Sequence, residues 1–190
     1  MYHLLSQVYK HPNLTAADID QIIAAHDEIL MSKHDYMLKK GQIPNGYYIV
    51  KSGLLRSYVL DNDGKEITTD FFTAGSIVIE VAGLFQQQPT VEFIQSLTDA
   101  ELYFIDFDIF QKLFVTIPAF AEWGRSWMAQ ALIAYKSRML DMVLQTAQER
   151  YKMLINTHQE IIKYAPVKHI ATYLGITDTS LSRIRKELSK

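Results

Sequence analysis

The sequence predicts an α+β fold: an N-terminal antiparallel β jelly roll, one long helix, and a small α-helical C-terminal unit built on a helix-turn-helix. Three observations carry this. Between residues 39 and 106, short β-rich runs alternate with glycine and polar turns. After Pro118 there is no proline until Pro166, and residues 119–144 are almost unbroken helix formers. Over residues 167–188, apolar positions, a small residue and a glycine fall at the spacing of two short helices about a tight turn.

The first expected element is a short helix over residues 16–26. Thr15 and Asp18 have capping-box spacing, and Ile19, Ile22 and Ile23 repeat at helical intervals. Strands are then expected at 47–51, 54–60, 66–72, 76–79, 93–97 and 102–105. Asp61-Asn62-Asp63-Gly64 is a hairpin turn signal. It also begins like a calcium loop, but Lys65 stands where an oxygen ligand is needed and no bidentate Glu follows at the right distance, so a turn is expected. Many short strands at regular spacing imply a sandwich or jelly roll. Asp108 is placed to cap a short helix carrying Phe110, Leu113 and Phe114.

Residues 119–144 would make about 40 Å of helix. Their apolar side chains exceed what one face can hide against one sandwich. A second copy of the chain is the expected cover, with Met128, Leu132, Tyr135, Met139 and Met142 at the dimer interface, although no clean heptad fixes the register. Thr146 and Glu149 form a full capping-box pattern inside this helical stretch. A helix start in mid-helix predicts a break, and a hinge, at residues 145–146. The expected divisions are 1–116 for the β-roll, 117–145 for the dimerisation helix and 146–190 for the head.

In the last segment Ile170, Leu174, Ile176, Leu181 and Ile184 supply the apolar positions. Ala171 is small where the helices would cross, Gly175 sits at the turn, and Thr177 is placed to cap the second helix. Asp178, Thr179, Ser180, Ser182, Arg183 and Lys186 then lie in its first turns or on its outer face. A helix so presented is a means of reading the DNA major groove. Charge agrees with this. The chain carries a net −2, yet from Arg150 onward there are 8 Lys and Arg against 3 Asp and Glu, and before it 11 against 18. The positive charge is gathered where the helix pair lies.

Other classes fall away. No apolar run approaches the roughly 20 residues of a membrane span, and the first residues are too polar for a signal peptide. The absence of cysteine removes disulfides and thiolate-ligated clusters or zinc. A cytoplasmic protein is expected. No glycine-rich phosphate loop and no histidine pair at metal-binding spacing is present, which argues against an enzyme.

The order of parts resembles the Crp/Fnr family of bacterial transcription regulators over nearly the whole chain. Two blocks carry the resemblance. One runs from Lys40-Gly41 through Tyr47 to Gly53, then Asp63-Gly64-Lys65-Glu66 and Gly75, and is similar to the first half of a cyclic-nucleotide-binding β-roll. The other is Ile170 to Thr177 with Leu181 to Arg185. The resemblance implies a homodimer on double-stranded DNA with a palindromic operator, a small-molecule effector, and RNA polymerase as a further partner. Departures from the family pattern narrow this. The Gly-Glu pair of members that bind cyclic AMP becomes Ile79-Glu80, and the phosphate-binding arginine falls near Thr90, with no arginine between Arg56 and Arg125. Glu80 and Thr90 are therefore the effector-pocket candidates, and cyclic AMP is not the expected effector, which stays unidentified. No cofactor is indicated. Asp178 and Thr179 are not the usual pair, so the operator should differ. Nothing after Leu188 supplies a wing, so wing contacts to DNA are not expected. The alternative is a cyclic-nucleotide or other small-molecule sensing module with a degenerate DNA-reading head.

Overall fold

The computed structural model describes residues 1–188. In chain order the elements are α1 (Tyr2–Val8), α2 (Ala16–Ala24), β1 (Asp27–Met31), β2 (Tyr36–Leu38), β3 (Gly46–Ser52), β4 (Leu55–Leu60), β5 (Glu66–Phe72), β6 (Ile77–Val78), α3 (Val81–Gln86), β7 (Phe93–Ser96) and β8 (Ala100–Asp106). There follow α4 (Phe107–Thr116), α5 (Pro118–Leu144), α6 (Ala147–Thr157), α7 (Gln159–Tyr164), α8 (Val167–Tyr173) and α9 (Asp178–Leu188). The strands form two four-stranded antiparallel sheets, ordered β1-β8-β3-β6 and β2-β7-β4-β5. This is the expected roll.

Strand alternation explains the layers. In β3, Val50 points into the core between the sheets, with Leu55, Phe72, Ile94 and Leu102. Its neighbours Tyr47 and Ile49 point the other way, into a second core covered by α1, α2, α4 and the start of α5. A sheet buried on both faces reads as a continuous apolar run, as Tyr47-Tyr48-Ile49-Val50 does. The indole of Trp123 donates to the Val8 carbonyl at 3.0 Å and pins the start of α5 to the N-terminal helix. Gly124 is required there, because a Cβ would lie 2.4 Å from the Phe114 ring.

Several expectations need correction. The helix expected over 16–26 ends at Ala24. Asp106, not Asp108, caps α4, its carboxylate accepting the backbone N–H of Asp108 at 2.9 Å. Of the strand expected over 76–79 only Ile77 and Val78 pair, because Glu80 caps α3 immediately afterwards. The segment 61–64 is a turn, with Asp61 Oδ1 accepting from the Asp63 and Lys65 N–H groups. Among the described residues no group of three or more His, Cys, Asp and Glu could hold a metal ion.

Helix α5 ends where expected. Gln145 is extended, and Thr146 and Glu149 close a capping box over α6. The chain beyond does not swing free. Helix α8 packs on β5, and one apolar cluster joins Leu54, Phe71 and Leu97 of the roll to Ile170, Ala171, Leu174, Leu181 and Ile184 of the head. No helix of the described residues is long and apolar enough to cross a membrane.

Candidate nucleic-acid interface

The helix pair is built by local rules. Ala171 is fully buried at the α8–α9 crossing. Gly175 takes φ +69°, which lets the Ile176 N–H reach back to the Ala171 carbonyl at 3.0 Å and satisfies the end of α8. The methyl of Met142 lies over Gly175, so a side chain there would collide with it. Thr177 Oγ1 accepts the Ser180 N–H at 3.2 Å and caps α9. Leu181 and Ile184 are buried beneath. Thr177, Asp178, Thr179, Ser182, Arg183 and Lys186 are exposed. Ser180 is half-buried and its hydroxyl lies 3.0 Å from Thr177 Oγ1, inside the cap. The positions 178, 179, 182, 183 and 186 share one face at i, i+4 spacing, opposite the buried side.

Sequence reading missed the residues that hold this head in place. Arg150 donates to the carbonyls of Gln145 and Leu174, tying the interhelix break to the turn of the helix pair. Arg138 on α5 stacks over the Tyr173 ring at 3.9 Å, donates to the Thr69 carbonyl and lies 4.0 Å from Asp70. Arg56 on β4 is 1 % exposed. It donates to His169 Nδ1 of α8 at 2.6 Å and pairs with Glu66. Thr172 Oγ1 accepts the Thr68 N–H at 3.2 Å and donates to Thr68 Oγ1 at 3.1 Å. One signal was available: Arg56 is a charge set within the apolar run Leu54-Leu55 and its strand.

An imidazole that accepts from a guanidinium must be neutral at that nitrogen. Burial, then the charges of Arg56 and Lys168, lower the His169 pKa to about 4, against an opposing pull from Glu66. An unfolded histidine titrates near 6.5. Between those values the unfolded chain binds the extra proton. Stability is therefore complete above about pH 6.5 and falls as pH drops through the window to about 4, by up to about 3 kcal/mol. Urea unfolding at pH 7.5 and pH 5 should show this fall, and His169→Gln should flatten it, since the amide oxygen can accept from Arg56 without titrating. An equal pH slope in both proteins would remove His169 as the cause.

The effector candidates are occupied by structural work. The Glu80 carboxylate accepts the Gly83 N–H at 2.8 Å. Thr90 is buried, its hydroxyl accepting the Glu92 N–H at 3.0 Å. Burial, with the charges of Glu80 and Asp70, pushes the Glu92 carboxyl up to about 7. The cavity beside Glu80 measures only 20 Å³. Of the expected dimer residues, Met128, Leu132 and Met139 are exposed on α5. Tyr135 is exposed too, with its hydroxyl 3.4 Å from Asp70 of its own roll, and Met142 reaches its own head.

Comparison with known proteins follows this geometry. The family model described as Cyclic nucleotide-binding domain matches residues 29–116. The chain is 26% identical over 183 residues to the Anaerobic regulatory protein of Haemophilus influenzae, covering 90% of this chain and 70% of that one. Its fold matches FixK2 from Bradyrhizobium japonicum at TM-score 0.73 and 20% identity, over 86% of this chain and 84% of that one. A protein from Eubacterium rectale assigned to the Crp/Fnr family matches at TM-score 0.71 and 18% identity, over 95% of this chain and 87% of that one. The family model covers most of the roll, and the relative and the two structures match most of the chain's length.

In fold and order of parts the chain is similar to Crp/Fnr proteins.

The region around Glu80 and Thr90 is closed and acidic. A typical small-molecule pocket needs about 300–1,000 Å³, and a cyclic phosphate beside Glu80 and Glu92 would meet carboxylates where its charge calls for a guanidinium. Calorimetry with cyclic AMP and cyclic GMP should detect no binding at micromolar concentration. Low-micromolar binding of either would show that this region opens and that the lost arginine is dispensable.

Proposed function

We propose that this protein is a DNA-binding transcription regulator of the Crp/Fnr type that works as a homodimer on a palindromic operator. The observation that carries the reading is the outer face of α9. A capped N-terminus and exposed Ser182 and Arg183 stand opposite the buried Leu181 and Ile184, in the most basic part of the chain. In this arrangement α9 enters the major groove while α8 crosses the backbone, and half-sites lie about 10 bp apart. Residues 1–116 are the effector-side roll, 117–145 the dimerisation helix and 146–190 the reading head. The working place is the cytoplasm, and RNA polymerase and a small-molecule effector are its further partners.

Selection of bound fragments from a genomic library, with no added ligand, tests the reading. A recovered palindrome supports it and supplies the operator. Failure to enrich any sequence, with no shift of genomic fragments in a gel, would favour a sensing module whose head no longer reads DNA.

A further inference from the structure

The seam between roll and head holds a cleft of 310 Å³ that the DNA-reading proposal does not use. Lys33, His34 and Arg56 line it from the roll, and Lys168 and His169 from the head. Glu66 is its single carboxylate. Arg56 is almost wholly buried, and its Nε has no hydrogen-bond partner among the described residues. Lys33 and Lys168 are exposed and form no ion pair among the described residues. Docking thus brings Lys33 and Arg56 of the roll and Lys168 of the head into one cleft, with Glu66 as its anion. The effector-pocket candidates show the reverse charge, with Glu80 and Asp70 both acting on Glu92.

We propose that the seam cleft binds a small multivalent anion, a phosphate- or carboxylate-bearing molecule, and that the bound anion holds the head against the roll. The volume is at the lower end for small-molecule sites. Lys33 and Lys168 supply charge from opposite walls, so one anion reaching both crosses the seam. It offsets the like-charge repulsion that docking creates, a repulsion strongest where water is partly excluded. Anything that binds only the docked form stabilises that form by mass action. The effector of such a regulator would then act on the head directly, without passing through the roll's closed pocket. The binding step goes beyond the DNA-reading proposal and is tested without DNA, so either can fail alone.

The test uses the full chain at low ionic strength, with pyrophosphate and citrate as calorimetric probes and sodium chloride at matched ionic strength as the control. At least one probe should bind with a micromolar Kd. Lys33→Ala/Lys168→Ala, two exposed positions, should weaken that binding about tenfold or more without lowering the ligand-free melting temperature, since it also removes the like-charge repulsion. Docking is read separately. The chain has no cysteine, so Thr68→Cys/Thr172→Cys places the only thiols on opposite sides of the seam, where the native hydroxyls are 3.1 Å apart. With diamide as the oxidant, the bound probe should speed disulfide formation between them, and should not do so once the two lysines are removed. Binding of pyrophosphate alone would identify a phosphate-bearing ligand, and of citrate alone a carboxylate-bearing one. The proposal is overturned if neither probe binds more tightly than millimolar, if the lysine variant binds as well as the parent, or if the probe leaves the disulfide rate unchanged.

Discussion

Leu132→Glu/Met139→Glu should convert the protein to monomers and abolish operator binding. The two side chains are 70% and 60% exposed on α5, one heptad apart. Ile133, Leu140, Val143 and Leu144 are also exposed beside them, so the second half of this helix carries an apolar stripe that its own chain leaves uncovered. Burying one such side chain is worth about 1.5–3 kcal/mol, and a two-fold dimer buries each residue twice. Four introduced carboxylates would also have to meet in a dry seam. Even after discounting for relaxation, the loss should exceed about 4 kcal/mol, a factor of about a thousand in dimerisation. Met142 is the wrong place for this test, because it also supports Gly175. Light scattering should give a dimer for the parent and a monomer for the variant, and the gel shift should vanish with the dimer. A parent that is monomeric at micromolar concentration would end the dimer proposal.

Arg183→Ala should remove most sequence discrimination while sparing non-specific binding. Arg183 is exposed in the second turn of α9 and has the first guanidinium of that helix. A bidentate contact from arginine to guanine O6 and N7 is worth about 1–3 kcal/mol. Because a dimer makes it in both half-sites, the operator should be bound about 2–6 kcal/mol more weakly. Tolerance should appear at one base pair per half-site. Lys186→Ala serves as the contrast. A lysine further along the helix touches phosphate, so its loss should weaken all sequences alike and flatten the salt dependence. Unchanged affinity and unchanged preference in Arg183→Ala would mean that α9 is not the reader.

Legibility in the sequence followed the range of the interactions. The head was readable because its rules are local. Thr177 caps a helix three residues on, Gly175 turns the chain at its own φ, and Leu181 and Ile184 follow one helical face. Strands β3, β4 and β5 were readable because their apolar side chains fill the cores on one or both faces. Strand β1 was not, since most of its side chains are exposed and give no alternation to follow. Helix α3 carried no expectation, because it is only six residues long and its cap depends on a carboxylate turning back to Gly83. The seam lay beyond reach for another reason. Arg56 and His169 are 113 positions apart, and Thr68 and Thr172 are 104 apart. Neither pair leaves a periodic trace; only the oddity of an arginine in a buried strand marked the place.

The shared patch of Leu54, Phe71 and Leu97 also limits how this chain can be cut or recombined. A fragment ending at Gln145 would carry those side chains bare and turn a desolvated arginine toward water. A fragment beginning at Thr146 would lack part of the floor under Ile170 and Leu174. A chimaera joined at residues 145–146 inherits the same demand, since a foreign head must bring a hydrogen-bond acceptor to the place of His169 or leave Arg56 buried without it. Roll and head are thus matched parts, and any exchange among relatives has to move Arg56 and its acceptor together.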